Sequence, residues 1–181
     1  VDFFIDTEFI ERGRDIPLQL VSIGIVSEDG YSLYAVNQDC LTNVVRHPWL
    51  SINVVPMLPI KDDSHGGPTM IVSWDAEHPD YGAVAPLDTI AAFVYDFLTK
   101  HAGDTGIKLW ADFGAYDHVV FCQLWGTMNE LPAGIPMYTN EFRTLLQMFD
   151  DVKLPPQPAN QHHALADAQW LKEAYEAVLQ A

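Results

Sequence analysis

The sequence predicts an α/β domain: one mixed sheet of five to six strands, an antiparallel meander followed by parallel strands, flanked by helices. Three strand-like stretches crowd into the first 37 residues, and helical and strand-like stretches alternate after residue 87. The chain has 181 residues, 49% of them hydrophobic and 19% charged, which suits a single core over residues 1–181 and excludes a disordered chain.

The elements follow from local pattern. Residues 1–7 form a short apolar run. Residues 18–27 (LQLVSIGIVS) are rich in β-branched side chains and apolar enough to be buried on both faces. Glu28-Asp29-Gly30 is a turn signal, and residues 31–37 alternate as a strand does. Residues 38–86 hold six prolines and Gly66-Gly67, which predicts an irregular excursion over the domain surface with short helices at most, at 44–50 and 54–58. A helix capped by Asp88 or Thr89 runs to about His101, its apolar stripe Ile90, Phe93, Val94, Phe97 and Leu98. Then come a strand at 107–111, a helix at 116–125, a short strand at 137–139, a helix at 141–149, a stiff proline linker at 153–158 and a last helix at 164–179.

Composition also bounds function. There are 25 Asp and Glu against 9 Lys and Arg, a net charge of −16. Such a chain cannot grip a polyanion with its whole surface, so any nucleic-acid contact is local and needs bound cations. No apolar run is long enough to cross a bilayer. The first residues have neither a basic region nor a cleavage site, so no signal peptide is expected. Two cysteines, Cys40 and Cys122, make no disulfide framework and suggest a reducing, cytoplasmic setting.

Three acidic motifs carry the chemistry. Asp6-Thr7-Glu8 ends the first strand, and carboxylates at i and i+2 point to one face. Paired like charges need a cation or a shared proton, and a hard divalent ion suits oxygen ligands. A second such pair, Asp75-Ala76-Glu77, falls in the excursion and reads as solvated surface. After the strand at 107–111, either Asp112 or Asp117 can face the crevice. In His162-His163-Ala164-Leu165-Ala166-Asp167-Ala168 a histidine precedes Asp167 at the start of the last helix, and either histidine can serve.

In this order the motifs resemble the DEDDh 3′–5′ exonucleases of the RNase H-like superfamily. Tyr116-Asp117 looks like their second motif and favours Asp117. The third, His-x-Ala-Leu-x-Asp-Ala, selects His162. A narrower resemblance, to the polyadenylate-specific 3′-exoribonuclease AS family, rests on residues 4–11, Leu109-Trp110-Ala111, Ala115-Tyr116-Asp117, residues 122–126 and residues 154–158. Phe113 departs from the family pattern, where many members carry Asn.

The resemblance implies hydrolysis of single-stranded, adenylate-rich or 3′-tailed RNA from its 3′ end to nucleoside 5′-monophosphates. It implies two divalent cations, Mg²⁺ or Mn²⁺, held by Asp6, Glu8, Asp117 and Asp167, with His162 as general base and a homodimer as the working form. Trp49, Trp74 and Tyr81 supply apolar surface for such a dimer. Thr7, Phe9, Arg12 and Tyr116 are the expected substrate contacts, with Arg14 and Arg143 as further phosphate candidates. A DNA exonuclease of the same fold is the near alternative, and a non-catalytic binding module the distant one.

Overall fold

The computed structural model describes residues 1–64 and 71–181; Gly66-Gly67 and Pro68 lie outside the described residues. Strands β1 (Asp2–Ile10), β2 (Gln19–Ser27) and β3 (Ser32–Asn37) form the antiparallel meander. The excursion follows, with α1 (Leu41–Val44), α2 (Leu50–Asn53) and a small hairpin of β4 (Ile60–Asp62) and β5 (Val72–Trp74). Strand β6 (Val84–Ala85) then returns parallel to β3. Helix α3 (Leu87–Ala102), β7 (Lys108–Ala111), α4 (Ala115–Gln123), β8 (Asn140–Glu141), α5 (Phe142–Leu146) and α6 (Ala164–Leu179) complete the chain. The main sheet has six strands in the order β6-β3-β2-β1-β7-β8, with β7 parallel to β1 and β8 parallel to β7. The predicted mixed α/β sheet is the observed one.

Side-chain alternation divides the sheet. On β1, Phe3 and Ile5 point to the core shared with α3 and α4. Phe4 points to the other face, toward Phe142 of α5 and Trp170 and Leu171 of α6. Ile10 shares that second face and meets the excursion. Asp6 and Glu8 have the parity of Phe4 and Ile10, so the first acidic pair is turned toward α6. Strand β2 is buried along nearly its whole length, as its continuous apolar run requires.

Several local expectations change. The excursion is no mere surface loop: Cys40, Val44, Leu50, Val54 and Leu58 bury against Ile10, Val21 and Val36 as a core of their own. A short 3-10 helix at Val55–Met57, with Pro56 in its first turn, falls in the 54–58 window, whereas the 44–50 window, which holds Pro48, is replaced by α1 before it and α2 at its end. Helix α3 begins without a side-chain cap, after Pro86, and Phe93 faces solvent while Ala91 takes its place in the stripe. The expected strand at 137–139 forms three residues later, where Asn140 pairs with Trp110 and its side-chain amide donates to the Leu109 carbonyl. Helix α5 starts at Phe142 because Glu141 caps it, accepting from the Arg143 amide, and it ends at Leu146, short of the expected 149.

Helix α6 crosses β1 and β2 at very short range. A Cβ on Gly24 of β2 would lie 2.3 Å from the Ala164 carbonyl oxygen and 2.4 Å from the Leu165 nitrogen. Both neighbours are backbone and cannot move aside, so only glycine admits the helix there. Gly24→Ala should therefore cost about 3 kcal/mol or more in a urea unfolding curve, at the upper end of overpacking penalties. A loss below about 1 kcal/mol would mean that α6 does not approach this closely.

Candidate active site

The functional side chains gather where β1 ends under the start of α6. Asp6, Glu8, His162 and Asp167 line one crevice of about 360 Å³, with Asp112, Phe113, Gln157 and Gln161 on its walls. Glu8 is 9% exposed and Asp117 only 7%. Ligand atoms of Glu8, His162 and Asp167 lie within 4.8 Å of one another.

Each carboxylate is positioned by a different device. Asp117 comes from the first turn of α4, on the opposite face of β1 from the acidic pair. Thr7, between Asp6 and Glu8, points the other way and meets it. Its amide and its hydroxyl both donate to Asp117 Oδ1, at 2.8 and 2.7 Å. Thr7 is buried and spent on this task, so it orients a carboxylate rather than reaching substrate. Asp167 lies one turn into α6, and its Oδ2 accepts the His162 amide at 2.7 Å. The contact expected of the His162 side chain is thus made by its backbone. It holds His162 at φ 69, a left-handed conformation a β-carbon disfavours. The imidazole is freed to turn to Glu8, with Nδ1 3.5 Å from Oε1.

The ambiguous residues separate. His163 stacks on Tyr34 at 4.3 Å and places Nε2 3.4 Å from Asp80, away from the crevice. Asp112 is on the crevice wall, but it is paired bidentately with Arg143 at 2.5 and 2.6 Å. That pairing, with the guanidinium 4.9 Å from the Phe113 ring centroid, removes Arg143 from the phosphate candidates. Phe9 and Tyr116 are stacked parallel at 5.4 Å. Arg12 is exposed but lines a separate hollow with Leu18, Leu87 and Val120, not the crevice. Arg14 pairs with Asp15 at the surface.

Sequence reasoning did not place four residues at the site. Trp49, from the excursion, meets the His162 ring edge-on at 4.9 Å. Glu141 accepts the amides of Phe113 and Gly114 at 3.0 and 2.8 Å and holds Phe113 at φ 57. Gln157 reaches the crevice from the linker, which Trp170 pins by donating to the Pro155 carbonyl, and Gln161 from the turn ahead of α6. Only Glu141, as an acidic residue at a predicted helix start, left any signal.

The electrostatics are those of an uncompensated acidic cluster. Burial, then the charges of Asp117, Glu8 and Asp167, push Asp6 well above the usual carboxylate range. Burial and the charges of Asp167 and Asp117 push Glu8 up to about 8. Burial raises Asp117 to about 6 against the lowering effect of the Thr7 hydrogen bonds. Asp167 is raised too, chiefly by burial, with its His162 contacts opposing. Buried carboxylates with oxygen ligands converging from three elements, and one imidazole, fit hard divalent cations.

The comparisons with known proteins bear on this geometry. Residues 73–179, more than half of the chain, match the model of the Rv2179c-like 3′-5′ exoribonuclease domain. The chain belongs to that family. The chain is also similar to two proteins of Mycobacterium tuberculosis. One is 3′-5′ exoribonuclease Rv2179c of strain ATCC 25618 / H37Rv, 37% identical over 166 residues, 92% of this chain and 86% of the relative. The other is 3′-5′ exoribonuclease MT2234.1 of strain CDC 1551 / Oshkosh, with the same identity and coverage. The family match takes in Asp117, His162 and Asp167; the relatives extend the likeness over most of the chain.

Two outcomes follow. A carboxyl held protonated in the folded state stabilises it fully below its unfolded pKa and ceases to do so as pH rises through the folded value. With Glu8 moved from 4.5 to about 8, metal-free protein should lose thermal stability between about pH 5 and pH 8. Glu8→Gln should flatten that fall, and added Mn²⁺ should raise the melting temperature more at pH 8 than at pH 5.5. Calorimetric melting across this range checks all three. Thr7→Val should weaken Mn²⁺ binding about 10- to 100-fold by releasing Asp117, while leaving the fold intact by circular dichroism.

Proposed function

We propose that the chain is a metal-dependent 3′–5′ exoribonuclease of the DEDDh type, removing nucleoside 5′-monophosphates from the 3′ end of single-stranded RNA. The observation that carries the reading is the convergence of Asp6, Glu8, Asp117 and Asp167 with the His162 imidazole at one strand end, in a chain of this family. No purely structural role requires this burial of like charge.

The chain's own groups divide the work. Asp6, Glu8, Asp117 and Asp167 would hold two divalent cations, Mg²⁺ or Mn²⁺. Bound there, the cations neutralise charge on the phosphodiester and make water a stronger acid. His162 takes the proton from the attacking water, a role that suits an imidazole side chain. Its left-handed backbone, held by Asp167, presents the ring to Glu8 and to the crevice. Thr7 fixes the Asp117 oxygen before substrate arrives. With so few basic residues, and with Arg143 engaged by Asp112, grip beyond the last nucleotides is weak and processivity low. The resemblance further carries a homodimer. A cytoplasmic setting rests on the free, buried Cys40 and Cys122.

The test uses 5′-labelled single-stranded RNA beside the matching DNA, with Mg²⁺ or Mn²⁺ and with EDTA. The expected result is a ladder shortening from the 3′ end of RNA, abolished by EDTA. His162→Ala should lower kcat by about 10² to 10⁴ with metal binding largely kept. Asp167→Asn should lower both. Preferential shortening of DNA would replace the RNA reading with its DNA counterpart. No shortening of either strand by folded, metal-loaded protein would leave only a binding module.

A further inference from the structure

Two histidines stand side by side ahead of α6, and only His162 turns to the crevice. Its ring is held loosely by its own contacts. Nδ1 stands 3.5 Å from Glu8, the side chain is 39% exposed, and Trp49 meets it edge-on. Its backbone is at φ 69, a conformation that persists where the surroundings fix it on both sides. On one side is the Asp167 carboxylate, which takes the His162 amide. On the other is His163. The His163 amide donates to the Asn160 carbonyl at 3.2 Å, and its own carbonyl accepts from the amides of Ala166 and Asp167 at 2.7 and 3.1 Å. The His163 side chain is only 14% exposed and ties two other parts of the chain to this point. Tyr34 of β3 stacks on it at 4.3 Å. Asp80, in the 3-10 turn Pro79–Ala83 of the excursion, places Oδ2 3.4 Å from Nε2. Among the described residues Nδ1 is buried without a hydrogen-bond partner, so the rotation of the ring is set at Nε2, by Asp80.

We propose that the His163–Asp80 pair is the positioning device of His162, so that the excursion governs the general base through a contact outside the crevice. The inference rests on the nuclease reading, in which His162 takes a proton from water. The role follows from leverage. A carboxylate oxygen accepts and does not donate, so the contact puts the shared proton on Nε2 of His163. Tyr34 on its face and Asp80 at its edge hold the His163 ring in one orientation. His163 and His162 share one planar peptide, so any rotation at residue 163 passes directly to the backbone that aims the His162 ring. Gly24 seats the helix at Ala164 and Leu165, but both lie after His163, and the residues ahead of the helix need an anchor of their own. Asp80 is itself aimed, since its amide donates to Nδ1 of His78, the cap of its turn, at 3.1 Å. The Asp80 side chain is 35% exposed, and pairs at such places add little stability; orientation is what this one supplies. Neither His163 nor Asp80 lines the crevice, so both act through His162.

Steady-state cleavage of 5′-labelled RNA in Mn²⁺ and NMR of the metal-free protein test this together. Asp80→Ala, a change at a partly exposed side chain, should lower kcat about 10- to 100-fold with KM and Mn²⁺ affinity within about twofold of wild type. Asp80→Asn keeps an oxygen to which Nε2 can donate, and it should retain most of the activity. His163→Ala should fall in the same range as Asp80→Ala, and the double variant no lower than His163→Ala alone, because the two side chains act as one. Should His163→Ala not fold, the two Asp80 variants decide by themselves. In NMR spectra the wild-type protein should show a nuclear Overhauser effect between the His162 and Trp49 rings, weakened in Asp80→Ala and kept in Asp80→Asn. An Asp80→Ala protein with unchanged kcat and an unchanged contact between these rings overturns the proposal, and so does a loss confined to KM. If neither wild type nor any variant shortens RNA while the ring contact still depends on Asp80, the nuclease reading fails and the positioning stands.

Discussion

Asp6, Glu8 and Asp167 carry like charge into a partly buried crevice, with the buried Asp117 near enough to act on Asp6, and water screens all four poorly. Each neighbour of the site can be understood as a response to that repulsion. Thr7 gives two hydrogen bonds to one oxygen of Asp117. The His162 amide gives one to Asp167. The imidazole itself stands near Glu8. Burial first, and then the charges of Asp167 and Asp117 that these contacts do not offset, push Glu8 up to about 8. An acidic protein can on these terms attract a polyanion at a single point.

The position of α6 is the second constraint. Gly24 lets the helix backbone lie almost against β2, and this brings the helix start, with His162 just ahead of it and Asp167 just inside it, to the end of β1. Trp170 and Leu171, further along the helix, seat it against Phe4 and Phe142. The same residue parity that turns Phe4 to α6 turns Asp6 and Glu8 to it. Packing and chemistry therefore share one face of one strand, and a shift of register by one residue would exchange both at once.

Around this centre the loops are locked by charge rather than by regular structure. Glu141 ties down two successive amides after β7, and Arg143 closes on Asp112 beside the Phe113 ring. The excursion, which prolines keep from forming long helices, finds its stability in a separate apolar cluster on the outer face of the sheet. That anchoring lets Trp49 stand half exposed beside His162.

The local pattern of residues sufficed for the strand meander and for the limits of the last helix, and it singled out the motifs that hold Asp6, Glu8 and Asp167, because periodicity and motif spacing are properties of neighbours along the chain. His162 was separable from His163 only through the order of the motifs, and the structure parts them by turning one ring to Glu8 and the other to Tyr34. Partnerships across long separations were not legible: Thr7 with Asp117, Arg143 with Asp112, Trp49 with His162. Whether an arginine reaches for phosphate or is already paired, and whether a threonine faces substrate or a carboxylate, depends on which side chains the sheet and helices bring within 3 Å. The sequence by itself determined the acidic and histidine motifs and the strands and helices that carry them; only the tertiary structure decided their partners, since hydrogen bonding and burial act through space and leave no periodic trace.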